Sequence, residues 1–215
     1  MSELAKRSLI GVLLIGIALT AAIVGGYLFA ILAALAACMM FYEWRRIVAG
    51  WGFGWQVAGF AYALVPALAL LWIRERFAVN GAPLGVEMLL WVFITTWSVD
   101  IGAYFAGRAI GGPKLAPAIS PNKTWAGLIG GMIAAALLGG LAASIMHLPV
   151  ILLWLAAPFA FAAQMGDLFE SWLKRRAGVK DSGTWLPGHG GALDRLDGLV
   201  VVATLTAAAM LAGLV

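Results

Sequence analysis

The sequence predicts an all-α, polytopic integral membrane protein with about seven transmembrane helices, its N-terminus in the cytoplasm and its C-terminus outside. Three observations carry this reading. Of 215 residues, 63% are hydrophobic and 11% charged, against about 45–50% and 25% in soluble domains, and mean hydropathy is +0.98. The apolar residues form runs near 8–24, 27–42, 54–73, 85–106, 125–146, 149–172 and 193–214, close to the length that crosses a hydrocarbon core. Finally, the basic residues segregate. With the N-terminus inside and seven helices alternating, Lys6, Arg7, Arg45, Arg46, Arg108, Lys114, Lys123, Lys174, Arg175, Arg176, Lys180 and Arg195 all face the cytoplasm. Only Arg74 and Arg76 of the 14 basic residues fall outside, as the positive-inside rule requires.

The elements follow in order. MSELAKRSLIGVLLIGIALTA has the basic-then-apolar order of a signal peptide, but the apolar run continues almost to Met40. A retained first helix is therefore expected. Gly25-Gly26 separates it from the second, which holds the single Cys38. One cysteine allows no disulfide framework, and Cys38 reads as a small packing residue. Trp44, Trp51, Trp55, Trp72 and Trp125 lie near span ends as an aromatic belt. These first three helices make an N-terminal region, 1–83, ahead of a region, 84–215, that carries the chemistry.

In the fourth helix, Asp100, Tyr104 and Arg108 recur at four-residue spacing on one face. The segment 111–127, GGPKLAPAISPNKTWAG, has a turn at Pro121-Asn122. Asn122 or Thr124 caps helix five, with Lys123 beside that helix start. A plain turn and cap is one reading; contact from Ser120, Asn122, Lys123 or Thr124 to a nucleotide phosphate is the other. Gly127 and Gly131, with Gly139-Gly140, read as close helix packing, and His147 as an interfacial loop residue. In helix six Asp167, Glu170, Ser171 and Lys174 share one face. The stretch 180–198, KDSGTWLPGHGGALDRLDG, then runs into Asp194 and Asp197 on the first turn of helix seven.

A lone charge at the bilayer centre costs about 2.5–3.5 kcal/mol on insertion scales, so intramembrane acids pair, bind cations or face water. Three helices here present polar stripes toward their cytoplasmic ends, which predicts a wet cavity between them. A single Asp–Lys pair is readily structural, but five acids and several bases gathered on one side point to a site. Clustered carboxylates with few His residues favour a hard cation such as Mg²⁺. Lys123, Lys174, Arg175, Lys180 and Arg195 suit phosphate charge. The Gly188-His189-Gly190-Gly191 turn leads into a helix N-terminus that offers free N–H groups to an anion. Together they read as metal-assisted phosphoryl or nucleotidyl transfer. The net charge of +4 and pI near 9.5 reflect topology and anionic headgroups, and no nucleic-acid partner is expected.

The run Ser171–Asp197, SWLKRRAGVKDSGTWLPGHGGALDRLD, closely resembles the signature of the phosphatidate cytidylyltransferases (CDP-diacylglycerol synthases). Ser171, Lys174, Arg175, Lys180, Asp181, Gly183, Leu186, Pro187, His189, Gly190, Gly191, Asp194, Arg195 and Asp197 stand at the matching places. Ala192 departs, where a larger aliphatic is usual. DIGAYFAGR from Asp100, ISPNKTWAG from Ile119 and GDLFES from Gly166 resemble further blocks, so the likeness covers about 96–198. Members are often longer, and one or two N-terminal helices are expected to be missing here. The resemblance implies transfer of a cytidylyl group from CTP to the membrane lipid phosphatidate, with Mg²⁺ held by Asp167 and Asp194, in a homodimer of the inner (plasma) membrane whose site faces the cytoplasm. On that reading Lys174, Lys180 and Arg195, with Lys123, neutralise phosphate charge. Asp197 binds a second cation or orients Arg195, and Ser171, Arg175, Asp181, His189, Gly190 and Gly191 contact substrate or shape the loop. A CTP-dependent polyprenol or lipid kinase and a cation-coupled transporter remain the alternatives.

Overall fold

The structure, a computed structural model, describes residues 3–76, 84–185 and 190–215, with 3–8 as backbone only. Among these residues seven α-helices follow one another: α1 (Glu3–Val24), α2 (Gly26–Ile47), α3 (Phe53–Arg74), α4 (Gly85–Ala109), α5 (Trp125–Ile145), α6 (Ile151–Arg176) and α7 (Leu193–Leu211). The all-α class expected from the runs holds. Five of the seven, α2 to α6, are long and apolar enough to cross a membrane. In α1 the apolar stretch is shorter, Leu9–Val24, and α7 opens with Asp194, Arg195 and Asp197 in its first two turns. The outward faces are apolar, with Leu13, Ile31, Phe60, Leu137 and Trp154 exposed. A soluble protein would not leave so continuous an apolar surface to water.

Helix ends are tied by side chains from far along the chain. Gly25 at φ 70 breaks α1 from α2, which leaves the last carbonyls of α1 without partners. Arg74, at the end of α3, donates Nε to Ala22 O at 2.5 Å and Nη2 to Ile23 O at 2.9 Å. Its positive charge also suits the negative end of a helix. The Arg76 guanidinium sits 3.5 Å from the centroid of the Trp72 ring. The two basic residues that break the charge asymmetry thus each have a local partner.

Close contact between α4 and α5 rests on glycines, as the Gly127 and Gly131 spacing predicts. A Cβ on Gly102 would lie 2.7 Å from Gly130 O, and one on Gly131 would lie 2.9 Å from Val99 O. Neither position has room for a side chain, so the backbones touch. Trp91 Nε1 crosses the same interface to Gly139 O at 3.0 Å.

Between these helices, where the sequence predicts a turn and a helix cap, stands a further element. Strands β1 (Lys114–Ala116) and β2 (Ser120–Thr124) pair antiparallel, Lys114 opposite Thr124 and Ala116 opposite Ser120. Thr124, not Asn122, caps α5: its Oγ1 accepts the Gly127 N–H at 3.0 Å. Strands of three and five residues are too short to show a period of two. The N-terminal helices also pack into the rest of the bundle, α3 against α2 and α7.

Candidate active site

Asp100 and Asp167 each lie nine residues before the last residue of their helix, Ala109 and Arg176. At 1.5 Å per residue, both carboxylates stand about 13 Å inside the bundle end. They line one cavity of about 590 Å³, shared with Tyr104, Arg108, Asn122 and Lys123. The hairpin aims Lys123 into it from the mouth, where its ammonium pairs with Asp167. Ser171 Oγ, one helical turn on, donates to Asp167 Oδ1 at 3.3 Å. Arg108 Nη1 donates to Tyr104 Oη at 3.0 Å on the cavity wall. Thr124 lines the cavity but spends its hydroxyl on the cap, while Ser120 sits at the far end of β2.

A second group of charges lies at the junction of α6, α7 and the loop between them. Lys174 Nζ stands between Asp194 Oδ1, at 2.5 Å, and Glu170 Oε1, at 3.0 Å. Asp194 Oδ2 accepts from Ser182 N and Gly191 N, both at 2.9 Å, and shares the Ser182 hydroxyl proton, at 3.0 Å, with Glu43. These are the bonds of a capping carboxylate: they hold the loop closed over the start of α7. Glu170 is 1% exposed, and its Oε2 has no hydrogen-bond partner among the described residues.

The two groups have different electrostatic partners. Asp100, Asp167 and Asp197 lie within electrostatic range of one another, with Lys123 among them and Arg195 beside Asp100. Asp194 is neutralised by Lys174 and saturated by backbone donors. Among the described residues no three Asp, Glu, His or Cys side chains form a ready-made metal cage. The arrangement is the open kind, one or two carboxylates with room for water and phosphate, that suits Mg²⁺.

The other expected residues are placed as follows. Arg175 ties the hairpin to α6, donating Nε to Ile119 O at 3.2 Å and Nη1 to Val179 O at 3.1 Å. Lys180 and Asp181 line a separate, smaller cavity of about 350 Å³ with Arg46 and Thr184. Gly190 has φ +82, and a Cβ on it would meet Asp194 Oδ2 at 2.8 Å. His189 lies outside the described residues. Three contributors escaped the sequence reading. Glu43 of α2 is wholly buried and bonds the 182–193 loop. Tyr62 of α3 has a buried hydroxyl without a hydrogen-bond partner among the described residues, close to the charges of Glu170, Asp197 and Asp167. Gln164 lines the larger cavity one turn before Asp167. For Glu43 the available signal was a single acid just past the end of the second apolar run, masked by the neighbouring Arg45 and Arg46.

Residues 52–212 match the cytidylyltransferase family. Over 178 residues the chain is 47% identical to a phosphatidate cytidylyltransferase of Brucella suis, covering 81% of this chain and 62% of that one. It is 33% identical over 213 residues to one from Rickettsia bellii, covering 95% and 89%, and 41% identical over 149 residues to one from Haemophilus influenzae, covering 65% and 52%. The chain thus spans just under two thirds of the Brucella relative. It belongs to the cytidylyltransferase family.

Proposed function

We propose that this member of the cytidylyltransferase family transfers the cytidylyl group of CTP to phosphatidate, giving CDP-diacylglycerol and pyrophosphate. The observation that carries the reading is the row of acid–base pairs, Lys123–Asp167 and Lys174–Glu170/Asp194, inside a bundle whose outer surface is apolar. The substrates named for the relatives fit that setting. One substrate is a water-soluble polyanion that needs cations at a wet mouth, and the other is a lipid whose chains need an apolar flank. The carboxylates of Asp167 and Asp197, with Asp100 beside them, would hold Mg²⁺, and Asp194 would join them only by exchanging its Lys174 partner for the ion. Bound there, the ion supplies neutralising charge to the CTP phosphates.

The chain's own residues then do two things. An oxygen of the phosphatidate phosphate forms a bond to the CTP α-phosphorus, and the bond from that phosphorus to the pyrophosphate oxygen breaks. The attacking oxygen is already anionic, so no strong base is required. Alignment and charge therefore dominate. Lys123 and Lys174 lie where such charge gathers, each held in place by a carboxylate that a phosphate can replace. Arg195 adds positive charge near Asp100, while Lys180, on the separate smaller cavity, would reach the phosphates only if substrate spans both. Asp181, with the Gly190-Gly191 turn, shapes the loop ahead of α7. The reading includes a multi-pass protein of the bacterial inner membrane, all seven helices spanning, N-terminus in and C-terminus out, the site facing the cytoplasm, and a homodimer.

The test is product identification. Purified protein in detergent is given CTP labelled in the cytosine, phosphatidate and Mg²⁺. Label in the lipid fraction with release of pyrophosphate is expected. Release of CDP, with an unlabelled phosphorylated lipid, would instead establish a lipid kinase.

A further inference from the structure

Glu43 stands on the last turn and a half of α2, outside residues 52–212 that match the family. Its side chain is wholly buried and accepts three hydrogen bonds. Oε1 takes the Ala192 N–H at 2.9 Å. Oε2 takes the Leu193 N–H at 2.9 Å and the Ser182 hydroxyl at 2.8 Å. Ala192 and Leu193 are the N-cap and first residue of α7. Their N–H groups are among the four that a helix start leaves without internal partners, and the Ala192 side chain has no acceptor to offer.

The loop is shaped around this carboxylate. A Cβ on Gly183 would lie 2.8 Å from Glu43 Cδ, and one on Gly191 would lie 2.7 Å from it. Both glycines belong to the Ser171–Asp197 signature; Gly183 is small because Glu43 occupies the space, and Gly191 because Ser182 and Glu43 together do. Ser182 Oγ also stands 3.0 Å from Asp194 Oδ2. Glu43, Ser182 and Asp194 therefore form one chain, with Lys174 at its end. A shift of the Glu43 carboxylate moves the first turn of α7, and with it Asp194, Arg195 and Asp197.

We propose that Glu43 is a positioning residue of the active site: it caps α7 from another helix and sets the register of Asp194 and its neighbours. This rests on the cytidylyl-transfer reading. A carboxylate is needed because all three bonds are accepted. Glutamine keeps the shape but turns an NH₂ donor toward N–H or O–H donors. The substrates themselves do not touch Glu43, so its loss should lower kcat and spare KM.

The experiment compares the full-length wild type with Glu43→Gln, Glu43→Ala, Ser182→Ala and the Glu43→Gln/Ser182→Ala double variant in detergent. Monodisperse protein is assayed for kcat and for KM of CTP and phosphatidate. Backbone amide exchange is followed across residues 190–196. Glu43→Gln is expected to lower kcat at least about tenfold, as small misplacements of reacting groups do, with KM within about threefold. Ser182→Ala should act in the same direction, and the double variant should be no worse than Glu43→Gln within about twofold, because coupled residues are not additive. Exchange at Ala192 and Leu193 should quicken while α4 and α5 keep their protection. A Glu43→Gln kcat within about twofold of wild type overturns the proposal, as do fully additive losses. So does a kcat loss that only tracks loss of folded protein. If the wild type makes no CDP-lipid, the functional reading fails, while the exchange result still decides whether Glu43 holds the α7 start.

Discussion

At the scale of single residues, the most exposed test of the site is Lys174, held between Glu170 and Asp194. Removing one partner of a buried ion pair costs about 3–5 kcal/mol, because the other charge is left stranded, whereas replacing the pair by apolar groups of similar volume is often neutral. Lys174→Met should therefore lower thermal stability in detergent by several degrees and abolish turnover. Lys174→Met with Glu170→Met should recover part of the melting temperature, since Asp194 still loses its cation but keeps its loop donors, yet stay inactive. Recovery of both would reduce Lys174 to a structural cation, and recovery of neither would place the strain elsewhere. The residue-level pattern was partly legible in the sequence. Asp167, Ser171 and Lys174 fall on one face by their spacing, and the structure joins Ser171 to Asp167 as that spacing predicts. Glu43 was not legible, because its partners lie 139 to 150 residues away and no local period encodes a contact of that range.

Among the elements, the junction of α4 with α5 controls the larger cavity, since α4 carries Asp100, Tyr104 and Arg108 while β2 and the α5 start carry Asn122, Lys123 and Thr124. A methyl group at Gly130 would run into the Ala106 methyl. Overpacking of this kind costs about 1–3 kcal/mol, and the relief available is to move the helices apart. Gly130→Ala is expected to lower the melting temperature and raise KM for CTP by widening the cavity between Asp100 and Lys123. Gly54→Ala is the matched control. It stands in the first turn of α3 with no atom within 4 Å of its Cβ position, so it should leave KM unchanged and stabilise slightly through helix propensity. An unchanged KM for Gly130→Ala would show that the cavity is not set by this packing. The helices were visible as apolar runs, but several of their ends were not. Helices α2, α4 and α6 continue to Ile47, Ala109 and Arg176, past the apolar runs, because charged residues there still find helical partners or face water. The β1–β2 hairpin stayed hidden for the same reason that it is small: strand pairing, not patterning, makes it.

For the whole molecule, the asymmetry of charge has a structural counterpart. The ends of α2, α4 and α6 and the starts of α5 and α7 come together at one end, bound through Glu43–Leu193, Arg175–Ile119 and Lys123–Asp167. Most basic residues sit there, and the two exceptions are occupied at the other end, Arg74 on the last carbonyls of α1 and Arg76 on Trp72. A bundle built this way should insert with its charged end toward the cytoplasm, since the outward pair is already satisfied within the protein and carries little weight against the inward excess. This orientation can be read with thiols. The single cysteine, Cys38, is free and is replaced by serine as the background. Val179→Cys then marks the site end, where Val179 is 40% exposed, and Val150→Cys marks the opposite end, where Val150 is 70% exposed. In intact cells a membrane-impermeant maleimide should label Val150→Cys at once and Val179→Cys only after the membrane is opened. The reverse pattern would put the site outside, away from cytoplasmic CTP, and both the orientation and the nucleotide reading would fall together. Equal labelling of both positions before lysis would mean that α6, which joins the two ends, does not cross the membrane.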